Sequence, residues 1–135
     1  MGIFKSLNSL KWVAGLSLIA VLILSSCSAS RGKATTKVYK KKAKISYYHD
    51  KFNGKSTASG EVFSNKKPTA AHKTLPFGTR IRVTNTANNK SVDLKVNDRG
   101  PFTRGRELDV SKKAFMDITD NKNHGVLEVL IELIN

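Results

Sequence analysis

Cysteine is nearly absent from this sequence, whose 135 residues include a single one, Cys27. One thiol cannot form an internal disulfide, so a folded domain must rely on its core alone. Acidic residues are also scarce, at 10 Asp and Glu against 24 Lys and Arg. Long apolar runs are limited to residues 12–24, shorter than the about 20 residues of a membrane-spanning helix. The length suits one domain and hardly two.

The N-terminal segment has the features of a secretory signal. Lys5 and Lys11 precede and open the apolar run, and small residues follow it. The run ends in Leu-Ser-Ser-Cys, which resembles the bacterial lipobox, in which the cysteine is lipidated and becomes the mature N terminus. We therefore predict a signal peptide over residues 1–26 and lipidation of Cys27. The alternative is a free cysteine near the end of an uncleaved anchor.

The residue after Cys27 bears on localisation. Ser28, rather than an aspartate, follows the cysteine. By resemblance to the sorting rule of enteric bacteria, this indicates a protein anchored by its lipid in the outer membrane and facing the periplasm.

The positive charge is spread unevenly. Residues 31–44 contain seven Lys and Arg and no acid, which predicts a solvated tether over residues 27–44. From residue 45 onward there are 15 Lys and Arg against 10 Asp and Glu. Because an exported lipoprotein rarely meets nucleic acid, we expect no nucleic-acid partner. Anionic lipid headgroups and cell-wall polymers are the expected partners of the charge.

Residues 45–135 read as one mainly β domain. Alternation of polar and apolar residues predicts strands, Asn53-Gly54 and Ala87–Asn89 predict turns, and Ser111 is placed to cap a brief helix through Met116. The predicted strands are Ile45–Tyr48, Arg80–Asn85, Ser91–Asn97, Leu108–Val110 and Val126–Ile134. Many short strands with one small helix favour a compact β-barrel.

Asp98 stands where a half-buried strand ends. Val92, Leu94 and Val96 alternate with polar residues, so continued strand geometry would place Asp98 on the same inward face. Gly100-Pro101 then ends the strand. A carboxylate at the rim of a core is one way to make a catalytic acid. The alternative is an aspartate that caps a turn by accepting backbone N–H bonds.

Several motifs in one order resemble the rare lipoprotein A (RlpA) family. They are Ser46–Tyr48, Thr57–Glu61, Thr69–Thr79, Arg82–Asn85, Val96–Phe102, Arg104–Arg106 and Leu108–Ser111. The resemblance covers nearly all of residues 45–135. It implies a six-stranded double-psi β-barrel with one or two short helices, and an endolytic lytic transglycosylase that acts on peptidoglycan glycan strands poor in stem peptides.

The resemblance also implies the site. The family's functional glutamate, histidine and aspartate correspond to Glu61, His72 and Asp98. For His72 the residues alone also allow an exposed loop histidine, and for Glu61 a solvated loop acid. The glycan-binding residues that we predict are Tyr48, Thr57, Ser59, Arg99 and Phe102, although core packing is as compatible with the two aromatic side chains.

No metal or other cofactor is predicted, because His49 and His124 lack ligand spacing with other donors. Asp109, between apolar neighbours, is interpreted as structural. We expect a monomer.

Three functions remain open at this level. A lytic enzyme needs one carboxyl group as acid and then base, a role that we assign to Asp98. A glycoside hydrolase would use Glu61 and Asp98 as a pair. A non-catalytic, expansin-like wall-binding lipoprotein would need neither.

Overall fold

Within residues 34–135, the part of the chain that the computed structural model describes, six strands form a closed barrel. The strands are β1 (Thr36–Tyr47), β2 (Thr69–Ala71), β3 (Arg80–Asn85), β4 (Ser91–Asp98), β5 (Leu108–Val110) and β6 (Leu127–Ile134). They follow the order β1-β5-β2-β4-β3-β6 around the barrel. The helix α1 (Lys112–Ile118) follows β5, and a 3-10 helix, Asp50–Phe52, follows β1. The predicted six-stranded, mainly β architecture is confirmed; the predicted signal peptide and Cys27 lie outside the described residues.

Two pairs of strands run parallel, and they set the position of the loops. β1 pairs in parallel with β5, and β2 with β4, whereas the other pairs are antiparallel. A parallel pair cannot be joined by a tight turn. Neither parallel pair is therefore consecutive in the chain: residues 48–68 connect β1 to β2, and residues 99–107 connect β4 to β5. In the first of these connections, the Ala58 N–H reaches Asp98 at the end of β4.

The barrel interior is a continuous apolar core. The fully buried side chains include Ile45, Ile81, Val96, Leu108 and Ile131. The helix α1 closes one side, since Phe115 is buried and its ring lies 4.7 Å from that of Tyr47. The predicted cap is confirmed: the Ser111 hydroxyl accepts the backbone N–H of Ala114 at 3.4 Å.

The tether predicted over residues 27–44 is wrong for residues 36–44, which form most of β1. Apolar periodicity is weak there because most of the side chains are exposed lysines. The pairing partner β6 supplies both backbone hydrogen bonds and negative charge. Lys44 lies opposite Glu128, and the Thr36 hydroxyl donates to Glu132 at 2.8 Å. Opposite charges directly across a strand pair stabilise the pairing.

The other strand predictions hold, and one strand was not anticipated. β3, β4, β5 and β6 match the predicted segments to within a residue or so. β2 has only three residues, Thr-Ala-Ala, and carries little β propensity. It exists because β4 and β5 flank it on both sides. Among residues 34–135, neither helix has the length and apolar character needed to cross a membrane.

Candidate active site

The end of β4 carries a register shift that turns Asp98 away from the core. Val96 pairs with Ala70 and Asp98 with Ala71, so β4 has one extra residue, Asn97, at this point. Ala70 and Ala71 point to opposite faces of the sheet, and so do their partners. Val96 is fully buried, whereas Asp98 is half-buried. The predicted placement of Asp98 on the core face is therefore wrong, because the inserted residue breaks the alternation.

Three donors hold the Asp98 carboxylate. Oδ1 accepts the backbone N–H groups of Ala58 at 2.9 Å and of Arg99 at 2.8 Å, and Oδ2 accepts the Tyr48 hydroxyl at 2.6 Å. Each carboxylate oxygen has two lone pairs. Oδ1 is therefore saturated by these donors, and Oδ2 keeps one lone pair open. Asp98 caps backbone N–H groups, as one interpretation held, and also presents an oxygen that can exchange a proton.

Tyr48 positions Asp98. Its ring lies 4.4 Å from that of Phe63 and meets Phe52 edge-on at 5.8 Å, so of the two roles considered for Tyr48, packing is the one seen. Burial, and then the hydrogen bond to Asp98, raise the pKa of Tyr48 well above its usual value. The hydroxyl therefore keeps its proton and remains a donor. Sequence reasoning missed this role because residues 48 and 98 meet only across the barrel.

His72 is a buried histidine with both ring nitrogens occupied. It is 2% exposed, so the exposed-loop interpretation is wrong. Nδ1 accepts the backbone N–H groups of Thr74 and Leu75 at 3.0 and 2.9 Å, which places the proton of the neutral ring on Nε2. Burial lowers the pKa of His72 more than Glu107 raises it. Within residues 34–135 no side-chain hydrogen bond joins His72 to Asp98; the His72 N–H donates to the Asp98 carbonyl at 3.1 Å.

Three side chains surround the His72 ring, and with it they form what we call the His72 cluster. Nε2 lies 3.1 Å from Glu107 Oε1 and 3.2 Å from the Tyr39 hydroxyl, and Lys40 pairs with the other oxygen of Glu107. Burial alone would raise the pKa of Glu107, but the bonds from Lys40 and His72 outweigh it and hold the pKa below its usual value. The sequence did not reveal this cluster, since Tyr39 and Lys40 lie in the segment predicted as a tether.

Glu61 lies in the loop formed by residues 57–61, beside Asn97. Its carboxylate accepts Lys95 Nζ at 2.7 Å and Asn97 Nδ2 at 3.0 Å. The hydrogen bond from Lys95 is the main cause that lowers the pKa of Glu61. The side chain is exposed, and among the described residues no hydrogen bond links it to Asp98. Glu61 is therefore an ionised acid that lines, with Lys95 and Asn97, an open depression that we call the groove.

Thr57 and Ser59 shape the same loop. The Thr57 hydroxyl donates to the Glu61 carbonyl and lies 3.0 Å from the Ser59 hydroxyl. The Ser59 N–H donates to the Asn97 carbonyl at 3.2 Å. These bonds place the Ala58 N–H against Asp98, so the loop serves the carboxylate through its backbone.

Arg99 and Phe102, which follow β4, lie in different environments. Arg99 Nη1 donates to the carbonyls of Leu75 and His72 at 2.9 and 3.3 Å, and the guanidinium lies 3.9 Å from the centre of the Phe77 ring. Among residues 34–135 it forms no ion pair with Asp98. The Phe102 side chain is 87% exposed, which excludes the core-packing interpretation. Its ring offers an exposed apolar surface in the segment that follows Asp98.

A second carboxylate shares the face of Asp98. Asp98 and Asp109 both pair with Ala71, from opposite sides of β2. Paired residues point to the same face, so Asp98 and Asp109 flank a small alanine with their Cα atoms about 10 Å apart across two strand spacings. Asp109 accepts the Ser46 hydroxyl at 2.8 Å and pairs with Arg106 at 3.3 Å. Its sequence context, between two apolar residues, had indicated only a structural role.

Cavity size does not mark this site. One cavity, of about 660 Å³, lies around Asn65, Phe63 and Met116 and contains none of the motif acids. A smaller one, about 340 Å³, is lined by Glu61, Lys95 and Asn97. We locate the site by the motif residues and by the hydrogen bonds that hold the Asp98 carboxylate.

Comparison with known proteins follows the same residues. Residues 40–131 match the family described as "Lytic transglycolase". Over 86 residues the chain is 52% identical to the probable endolytic peptidoglycan transglycosylase RlpA of Treponema pallidum, covering 64% of this chain and 27% of that protein. Over 103 residues it is 48% identical to the endolytic peptidoglycan transglycosylase RlpA of Rickettsia felis, covering 74% and 45%. The chain thus spans less than half the length of these relatives.

Solved structures agree on the fold. The Streptomyces papain inhibitor matches with a TM-score of 0.56 at 19% identity, covering 75% of this chain and 96% of that one. The Clavibacter michiganensis expansin matches with a TM-score of 0.54 at 18% identity, covering 75% and 51%. At such identities the likeness concerns the fold alone. With the family match covering most of the barrel, the chain belongs to the lytic transglycolase family and, by its curated relatives, to the RlpA group of double-psi β-barrels.

Proposed function

We propose that this protein is a lytic transglycosylase that cleaves the bond between N-acetylmuramic acid and N-acetylglucosamine in peptidoglycan strands poor in stem peptides. The observation that carries the proposal is the Asp98 carboxylate, which is held by three donors and keeps one lone pair of Oδ2 unused by the described residues. The relatives that share the barrel are named for this activity, and the whole chain's activity is inferred from them.

The chemistry requires one carboxyl group acting twice. Protonated on Oδ2, Asp98 donates that proton to the glycosidic oxygen as the bond to C1 breaks. The carboxylate then accepts the proton of the sugar's own 6-hydroxyl as its oxygen bonds to C1. The product end is a 1,6-anhydro sugar, no water is consumed, and Asp98 is again protonated. Tyr48 keeps Oδ2 in place through both steps.

The remaining motif residues support the groove. Phe102 is exposed and presents a ring on which a sugar face can stack. Thr57 and Ser59 order the loop whose Ala58 N–H reaches Asp98. His72 orders the opposite loop by accepting the N–H groups of Thr74 and Leu75. In this assignment His72 and Glu61 position the groove, and Asp98 exchanges protons.

A lipid anchor would hold the enzyme beside its substrate. Lipidation of Cys27 after removal of residues 1–26 would attach the protein to the outer membrane, facing the periplasm. The Cys27→Ala variant is then expected in the soluble fraction after a high-salt wash, which removes attachment of the lysine-rich segment by charge alone. Persistence of the variant in washed membranes would exclude the anchor, and an inner-membrane band for the unaltered protein would exclude outer-membrane sorting.

A second candidate, glycoside hydrolysis, is favoured by one observation. Asp98 and Asp109 lie on one face with their Cα atoms about 10 Å apart, an arrangement in which two carboxyl groups can flank one glycosidic bond. In this alternative, Asp109 takes the place of Glu61 as the partner of Asp98. The third function, an expansin-like and non-catalytic one, is separated from both by the products.

Product masses separate the three functions. Purified stem-free glycan strands are incubated with the full chain, and the products are identified by mass spectrometry. Lytic cleavage gives ends about 18 Da lighter than hydrolysis, because no water is added across the bond. Reducing ends would favour the hydrolase. Binding without products, from protein with an intact circular dichroism spectrum, would favour the expansin-like module.

A further inference from the structure

Only one nitrogen of the Arg99 guanidinium donates hydrogen bonds within the described residues. Nη1 is bound by the carbonyls of Leu75 and His72, and the plane stacks on Phe77. Among residues 34–135, Nε and Nη2 make no hydrogen bond. The side chain is half-buried, and these contacts limit the directions in which the free edge can point. A guanidinium held on one edge and one face presents the remaining edge as a rigid fork.

The neighbouring cations are already paired with acids. Lys95 pairs with Glu61, Lys40 with Glu107 and Arg106 with Asp109. Arg99, in contrast, has no acid partner in the described part of the chain. It also follows Asp98 directly, and consecutive Cα atoms lie about 3.8 Å apart. Nη1 also lies 3.5 Å from the Asp98 carbonyl oxygen, so the guanidinium stands beside the backbone of the candidate acid.

The proposed substrate carries a matching group. N-acetylmuramic acid bears a lactyl ether, whose carboxylate is free when the stem peptide has been removed and is a neutral amide when the peptide is attached. Guanidinium forks bind carboxylates through two parallel hydrogen bonds and lose most of this interaction with an amide. We propose that the free Nε–Nη2 edge of Arg99 binds the lactyl carboxylate of stem-free strands and makes the enzyme prefer them. This inference rests on the proposed function, since it names the part of the same substrate that the site reads.

Binding of two matched saccharides tests it without cleavage. The ligands are a short stem-free glycan with free lactyl carboxylates and the same glycan with these groups converted to methylamides. The full chain carries Asp98→Asn so that neither ligand is consumed. We expect the free acid to bind about tenfold or more tightly than the methylamide, as for a charge-assisted hydrogen-bonded pair. Arg99→Gln should bind both ligands with the weaker affinity, and Arg99→Lys should retain part of the preference.

Lys122→Gln is the control, because it removes the same charge from an exposed loop after α1. It should leave the preference unchanged. Equal affinity for both ligands before Arg99 is altered, a comparison that needs no change at Arg99, would overturn the inference. So would a preference that survives in Arg99→Gln with an intact circular dichroism spectrum. If the preference depends on Arg99 but the unaltered protein yields no products, the inference stands and the proposed cleavage fails. Cleavage without any preference would overturn the inference and leave the proposed cleavage standing.

Discussion

Two of the motif residues, Asp98 and His72, lie at the ends of adjacent strands but in opposite environments. Asp98 is half-buried and keeps a lone pair of Oδ2 open. His72 is almost fully buried, and its two ring nitrogens are used by the chain itself. A backbone hydrogen bond ties the two residues together. The difference teaches that one region leaves a carboxylate oxygen available to a ligand, whereas the other uses its side chain to hold a loop.

Removing the carboxyl group from the open region should have the largest effect. Asp98→Asn keeps the side-chain shape but cannot exchange a proton, so we expect cleavage of stem-free strands to fall by about 10² to 10⁴. Product release is followed by liquid chromatography. The matched control is Asp93→Asn on the same strand, since Asp93 pairs with Arg82 at 2.7 Å on the barrel surface. It should keep nearly full activity; full activity in Asp98→Asn would mean that this residue is only a turn cap.

Two tyrosines sharpen the comparison, because each touches one of the regions. Tyr48→Phe removes the donor to Asp98 Oδ2, and loss of a hydrogen bond to a charged group should lower the cleavage rate about 10-fold to 100-fold. Tyr39→Phe removes the hydroxyl that contacts His72 and should change the rate about threefold or less. Rates are measured at saturating glycan. Equal losses in the two variants would contradict the division of the site into two regions.

The burial of His72 should make the free energy of unfolding depend on pH. Unfolded His72 binds a proton near its usual pKa of 6.5, whereas burial keeps the folded side chain neutral to lower pH. The unfolded state therefore binds more protons than the folded state. The contribution of neutral His72 to stability is complete above about pH 6.5 and is lost as the pH falls. The free energy of unfolding, measured with urea, should fall by up to about 1.4 kcal/mol over one pH unit below that point.

His72→Asn provides the comparison for this measurement, because its side-chain oxygen can still accept the backbone N–H groups while it carries no titrating proton. The variant should lose stability less steeply than the unaltered protein between about pH 7.5 and about pH 5.5. Parallel curves for the two proteins would show that His72 does not titrate differently on folding.

Glu61 should give the smallest effect of the motif residues. Glu61→Gln keeps the length that reaches Asn97 and loses the ion pair with Lys95. Because this pair is exposed, we expect the cleavage rate to fall less than about tenfold. Lys95→Met breaks the same pair from the other side and should behave alike. A loss comparable with that of Asp98→Asn would place Glu61 among the groups that exchange protons.

Local patterns predicted those elements whose side chains alternate between core and solvent. β3, β4 and β6 were found this way, and so was the Ser111 cap. β2 and the first part of β1 were not, because a Thr-Ala-Ala strand and a run of lysines show no apolar alternation. Their pairing depends on partners elsewhere in the chain, and a window along the sequence does not contain those partners.

By itself, the sequence determined the barrel class and the ends of most strands, since these depend on side-chain period and turn chemistry, and the resemblance of its motifs to the RlpA family supplied the set of motif acids. Only the tertiary structure decided what those acids do. One extra residue in β4 sends Asp98 to the outer face, where Tyr48 reaches it from the end of β1. The barrel closure likewise brings Glu107 against His72. Both outcomes depend on cross-strand register, in which a shift of one residue reverses the face of a side chain, and this register is set by backbone pairing between distant strands.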